Sequence, residues 1–301
     1  MTALSGVHVA LATAFDTDYS LNSDATAALA DDLIERGIHG IVVNGSTGEF
    51  AALTVSERRQ VVDAVLEATD GRVPVTVQVG AMTTQEAVAH AQHAAAAGAS
   101  AAMLVCPYYE PIDDREVEAY FRDVAAVGLP LMIYNNPAAT GWSMDPSLIA
   151  RLSEIDEVCY IKDTTTDLSR MFRIRQLCGD RLQILSGQDS LALVGFLAGA
   201  QATVWGAPNA TPEACVRLWE LTVRDPDLEA ARALWDALYP VMRFFEESGY
   251  VQAVKAGTNL RIDIGPPRHP ALPLDDDRVG ELKVLMERLA SAVAVEPSHR
   301  V

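Results

Sequence analysis

Lys162 closes the apolar run VCYI, and no other residue in the chain is better placed for covalent chemistry. A strand ending there would leave its amine in a sheltered mouth. Desolvation disfavours an ammonium ion, and the neutral amine attacks the carbonyl of a 2-oxo acid such as pyruvate. The iminium so formed withdraws electrons and stabilises the enamine that aldol and retro-aldol steps require. A lysine at this position could instead pair with Asp163 at a rim, and position alone leaves both readings open. Tyr134 ends the neighbouring run LPLMIYN. Its phenol either shuttles protons to substrate, given a partner that tunes it, or simply packs. The turn GSTGE at 45–49 offers backbone N–H groups and the hydroxyls of Ser46 and Thr47, a suitable cradle for a carboxylate. It lacks the GxxxxGK[ST] spacing of a phosphate loop.

These groups need a scaffold that brings run ends together. Eight short apolar runs fall at 7–13, 38–44, 73–79, 100–106, 129–135, 157–162, 181–186 and 201–206. Each is bounded by Gly, Pro or charged residues, as strands are. Helical periodicity fills stretches between them, among them 24–37, 55–69, 83–98, 114–128, 145–155 and 189–199. Ser23 or Asp24, Thr54, Thr83 and Asp145 are expected N-caps, and Gly37, Gly98, Gly128 and Gly199 are helix stops. Alternation of this kind predicts an α/β chain with a parallel sheet, and a count of eight favours closure into a (β/α)8 TIM barrel. An open dinucleotide-binding sheet would want glycines after the first strand, where the chain reads AFDTDYSLNSD. The expected organisation is a barrel with the active site over 1–210 and a C-terminal helical extension packed on it over 211–301. Additional helices are expected at 212–224, 226–247, 250–259 and 276–294, with a frayed tail, AVEPSHRV. Barrel chemistry gathers at the C-terminal strand ends, where Lys162, Tyr134 and the GSTGE turn would lie.

Composition narrows the partners. Half of the 301 residues are apolar, and 23 basic against 41 acidic residues give a net charge of −18. This argues against nucleic acid and anionic membranes, which both need a basic patch. No apolar run reaches the ~18 residues of a membrane span, and the N-terminus has no signal-peptide pattern. A cytoplasmic enzyme is expected. The four cysteines have no metal-ligand spacing, and His90 and His93 read as a surface pair on a helix. No metal, nucleotide or other cofactor is expected.

In order along the chain, GSTGE (45–49), PYY (107–109), YNNPAATG (134–141), IKDT (161–164), SGQD (186–189), AGAQATVWGAPNATP (198–212), YVQAVKAG (250–257) and GPPRHPALPL (265–274) resemble the dihydrodipicolinate synthase and N-acetylneuraminate lyase family. The resemblance runs to about residue 290. It implies a Schiff base on Lys162, proton shuttling by Tyr134, and a pyruvate carboxylate held by Ser46, Thr47 and Gly48. It implies that Ser46 links Tyr134 to Tyr109, with Tyr109 supplied by a neighbouring subunit of a homo-oligomer, dimer or tetramer. Val204 would offer a backbone carbonyl, Gly187 would admit close backbone approach, and Thr164 and Asp189 would hold substrate hydroxyls. Asp189 alternatively caps the following helix. Synthases of this family carry an arginine where this chain has Ala139, and a methyl group cannot replace a guanidinium. The expected function is therefore a Schiff-base lyase or aldolase on pyruvate or another 2-oxo acid. Dihydrodipicolinate synthase and a 2-keto-3-deoxy sugar acid dehydratase or deaminating lyase are the alternatives. Trp142 is expected to cover the distal pocket and favour an apolar substituent, or to pack at an interface.

Overall fold

A computed structural model describes residues 3–294; the tail beyond them, expected to fray, lies outside the described residues. All eight expected strands are present: β1 Gly6–Ala10, β2 Gly40–Val43, β3 Val75–Gln78, β4 Ala101–Val105, β5 Leu131–Asn135, β6 Val158–Asp163, β7 Gln183–Ser186 and β8 Ala202–Trp205. Each pairs in parallel with the next, and β1 pairs with β8, so the sheet closes. The chain is a (β/α)8 barrel with additional C-terminal helices.

Why these runs are strands follows from burial on both faces. Ala10, Val42, Met103, Met132, Leu185 and Val204 pack together as one cluster, filling the barrel. Their alternating neighbours, including Val9, Ile41, Leu104, Ile133 and Ile161, join a second cluster shared with the helices. Strands covered on both faces read as continuous apolar runs, which is why eight could be picked out.

Helix ends obey local chemistry. Thr54 and Asp113 form full capping boxes, Thr83 and Asp145 cap as expected, and Pro146 takes the first turn after Asp145. The first helix is capped by Asn22 rather than Ser23 or Asp24, its side chain accepting from the Ala25 N–H. A helix at Leu168–Cys178 was not singled out in the sequence, because its exposed arginines mask a narrow stripe of Met171, Ile174 and Cys178. Past the barrel, helices Leu228–Glu247 and Tyr250–Asn259 bury Leu238, Val241, Phe245 and Val254 against the outer cluster. The second of these carries Tyr250 to the strand ends.

Candidate active site

Strand register puts Tyr134 on β5 directly beside Lys162 on β6. Both side chains are buried, and the Lys162 Nζ stands 4.5 Å from the centroid of the Tyr134 ring. Among the described residues no carboxylate forms an ion pair with this lysine. Asp163, the rim partner weighed above, is engaged elsewhere: it accepts from the Asn135 side chain at 3.1 Å and the Thr165 N–H at 2.9 Å, with Arg170 at 3.5 Å. Gly187 makes room for the amine's stem, since a Cβ there would lie 2.9 Å from Lys162 Cγ and 2.8 Å from Thr164 Cγ2.

The Tyr134 hydroxyl has two partners. Ser46 Oγ lies at 3.2 Å, and the side-chain amide of Asn136 donates to it at 2.7 Å. Ser46 sits in a turn flanked by two left-handed non-glycine residues, Asn44 (φ 55°) and Glu49 (φ 55°). Such conformations persist only where surroundings hold them. Asn44 is held by its side-chain donation to the Arg58 carbonyl at 2.9 Å. Glu49 forms an ion pair with Lys255 at 2.8 Å and accepts from the Arg268 N–H at 2.8 Å. Thr47 is buried, and the Gly48 carbonyl accepts from Thr13 Oγ1 at 2.7 Å. Ser46, Thr47 and Gly48 therefore form a braced turn opposite β5.

The remaining expected residues are placed differently. The Thr164 hydroxyl donates to the Asn135 carbonyl at 3.0 Å, tying β6 to β5. Val204 is fully buried within the barrel. Asp189 is not an N-cap: its two oxygens accept from the Ala207 N–H at 3.0 Å and the Tyr250 hydroxyl at 2.7 Å. Burial pushes its carboxyl up to about 6, opposed by those two hydrogen bonds. Burial likewise raises the Tyr250 phenol, which also accepts from the Gly206 N–H at 2.8 Å. Tyr109 is 83% exposed and makes no hydrogen bond among the described residues. His90, expected on the surface, is buried, and burial lowers its imidazole to about 4; His93 reaches Asp63 at 2.9 Å. All four cysteines are free and buried. Among the described residues no group of three or more His, Cys, Asp or Glu is placed to hold a metal ion.

A cavity of about 400 Å³ has Ser46 and Asn136, the two partners of the Tyr134 hydroxyl, in its wall. The rest of the wall is mostly apolar, including Phe50, Val105, Ala139, Val251, Pro270 and Ala271. Ala139 lines it; Trp142, expected to cover it or to pack at an interface, is not part of its wall. Among the described residues the one cation in that wall is Arg268, which is committed to Glu57 and to the Tyr19 and Ala52 carbonyls. A larger hollow of about 820 Å³ lies at the opposite end of the barrel, around Leu4, His39 and Tyr160. Barrel chemistry belongs to the C-terminal ends of strands, and the lysine is there.

The buried Lys162 and the hydrogen-bonded Tyr134 thus meet at the C-terminal mouth of a closed parallel barrel. The sequence profile of the dihydrodipicolinate synthetase family matches residues 3–289, and the chain belongs to that family. It is 40% identical over 276 residues to an uncharacterised DapA-like lyase of Halobacterium salinarum, covering 91% of this chain and 90% of that one. It is 34% identical to a 4-hydroxy-tetrahydrodipicolinate synthase of Methanothrix thermoacetophila, covering 95% of this chain and 97% of the other. The E. coli prophage protein YagE, a member of the same family solved with pyruvate, superposes with a TM-score of 0.90 at 29% identity, over 96% of this chain and 99% of its own. This chain is a lyase of that family. No helix among the described residues is long and apolar enough to cross a membrane.

Two site residues escaped the sequence. Asn136 lies inside the quoted YNNP motif, but nothing in the string says which way its amide turns. Tyr250 is 61 positions from Asp189, and only the fold brings them together.

Proposed function

We propose that this enzyme forms or breaks a carbon–carbon or carbon–oxygen bond of a 2-oxo acid through an enamine on Lys162, with pyruvate as the simplest substrate. The carrying observation is the Lys162–Tyr134 pair, a buried amine without a carboxylate partner against a phenol hydrogen-bonded to Ser46. The amine attacks the keto carbon and water leaves, giving an iminium; loss of a C3 proton gives the enamine. Tyr134 carries the protons, and the turn at Ser46, Thr47 and Gly48 receives the carboxylate. By the same reading Gly187 admits close backbone approach, Val204 offers its backbone carbonyl, and Thr164 and Asp189 meet substrate hydroxyls. The chemistry calls for no metal or nucleotide.

The second reactant would occupy the apolar cavity. With Ala139 in its wall and Arg268 committed to Glu57, no described residue of that wall offers a free cation. An aldehyde portion with an apolar substituent suits it better than one with a distal carboxylate. The synthase reading is favoured by the 34% identical Methanothrix thermoacetophila relative, whose name it matches. Ala139 weighs against it.

Borohydride reduction in the presence of pyruvate tests the proposal. Mass equal to a reduced pyruvate adduct is expected on Lys162, and its absence at saturating pyruvate ends the lyase-by-Schiff-base reading.

Tyr109 is 83% exposed beside the 39% exposed Tyr108, an aromatic pair suited to a second copy of the chain. In that reading Tyr109 completes the partner's Ser46–Tyr134 relay. Mixing inactive Tyr109→Ala chains with inactive Lys162→Ala chains should then restore activity, because each mixed dimer contains one whole site. A mixture no more active than its parts removes the shared site.

A further inference from the structure

We propose that Asn136 is a positioning residue that fixes the direction in which the Tyr134 hydroxyl passes its proton. The inference rests on the Schiff-base reading above and adds to it a residue with a defined polarity.

The amide of Asn136 is held at both ends. Its Oδ1 accepts from the Ala139 N–H at 3.3 Å, capping the short helix Pro137–Thr140, which turns its Nδ2 toward the phenol at 2.7 Å. Pro137 closes the helical region to the residue before it, and Asn136 accordingly sits at φ −131°, ψ 78°. Backbone and cap together remove the choice of which amide atom meets Tyr134. An amide nitrogen only donates. The phenol oxygen must therefore accept from Asn136, and its own hydrogen points elsewhere, to Ser46 Oγ at 3.2 Å or to a bound reactant.

The consequence falls on one intermediate. When the carbinolamine on Lys162 collapses, the Tyr134 hydroxyl hydrogen joins the departing hydroxyl, water leaves, and an iminium and a phenolate remain. The phenolate then takes a proton from C3 of the iminium, giving the neutral enamine and restoring the phenol. Between those steps the phenolate is met by the fixed Asn136 N–H and by a Ser46 hydroxyl that can rotate to donate. A donor aimed beforehand at a developing oxyanion stabilises it without reorganisation.

The rival role is a helix cap alone, and Asn136→Asp separates the two. Aspartate caps as well as asparagine and has the same size, but presents an acceptor where the phenol needs a donor. Two readouts are taken at saturating pyruvate: end-point borohydride adduct on Lys162, and the rate of deuterium exchange into the pyruvate methyl group. The expected result for both Asn136→Asp and Asn136→Leu is a full adduct yield with exchange slowed on the order of 10-fold to 100-fold. Exchange in Asn136→Asp equal to that of the unaltered enzyme overturns the positioning role and leaves a cap. Unaltered enzyme that forms no adduct overturns the Schiff-base reading itself, and the inference with it.

Discussion

Two buried lysines face aromatic rings in this protein, and their polar surroundings differ. Lys162 lies 4.5 Å from the centre of the Tyr134 ring and Lys255 lies 4.2 Å from that of Phe15. Their side chains are 6% and 1% exposed. Lys255, however, has Glu49 at 2.8 Å and the Pro266 carbonyl at 2.8 Å, whereas no carboxylate among the described residues pairs with Lys162. Burial pulls the Lys255 ammonium below its ordinary range, and Glu49 opposes that shift. A buried charge with a partner is a structural brace; the proposed function gives the amine without one the nucleophile's part. The two are also connected. Glu49 ends the turn that carries Ser46 and Thr47, so Lys255 helps hold the turn whose Ser46 meets the Tyr134 hydroxyl.

Replacing each lysine in turn breaks this comparison most directly. Lys162→Met should abolish the reducible adduct and lower turnover at least about 1,000-fold, with little loss of stability because no buried partner is stranded. Lys255→Met should do the reverse. It leaves Glu49 buried without its cation, which costs about 3–5 kcal/mol in urea unfolding. Loosening of the turn should raise KM for the 2-oxo acid, while the adduct on Lys162 survives at saturating substrate. An adduct found on Lys255, or equal unfolding penalties for the two variants, would erase the distinction.

The contrast was half legible in the sequence. Lys162 and Tyr134 could be picked out because each ends a doubly buried strand, and a parallel barrel gathers strand ends at one mouth. Lys255 lies in the YVQAVKAG motif of a C-terminal helix, and the sequence does not name its partner. Glu49 is far away in sequence, and only the left-handed turn at Asn44–Glu49 points its carboxylate inward. Asn136 was hidden for a related reason: whether an amide caps, donates or faces solvent depends on how the chain leaves β5. Asp189 looked like an N-cap because an acid preceding a helix usually is one. Here the first turn is a tight 3-10 segment, Asp189–Leu191, and the carboxylate faces Ala207 and Tyr250 instead.

Asp189 supplies the finer version of the same comparison, being the acid whose field reaches Lys162 without pairing to it. Its carboxyl is raised from 3.8 to about 6, by burial above all. Between those values the folded chain keeps a proton that the unfolded chain has released, so the group's contribution to stability falls as pH rises from about 4 to about 6 and is level above that. The shift corresponds to about 3 kcal/mol. Other carboxylates titrate over the same range, so the quantity to measure is the difference between the unaltered enzyme and Asp189→Asn in urea unfolding at successive pH values. That difference should move against the unaltered enzyme by about 2–3 kcal/mol on going from pH 4 to pH 7. A difference that stays constant across this range would mean the carboxylate is ionised throughout. The Asp189 charge acting on Lys162 would then be present throughout, and the separation of Lys162 from Lys255 would be one of degree.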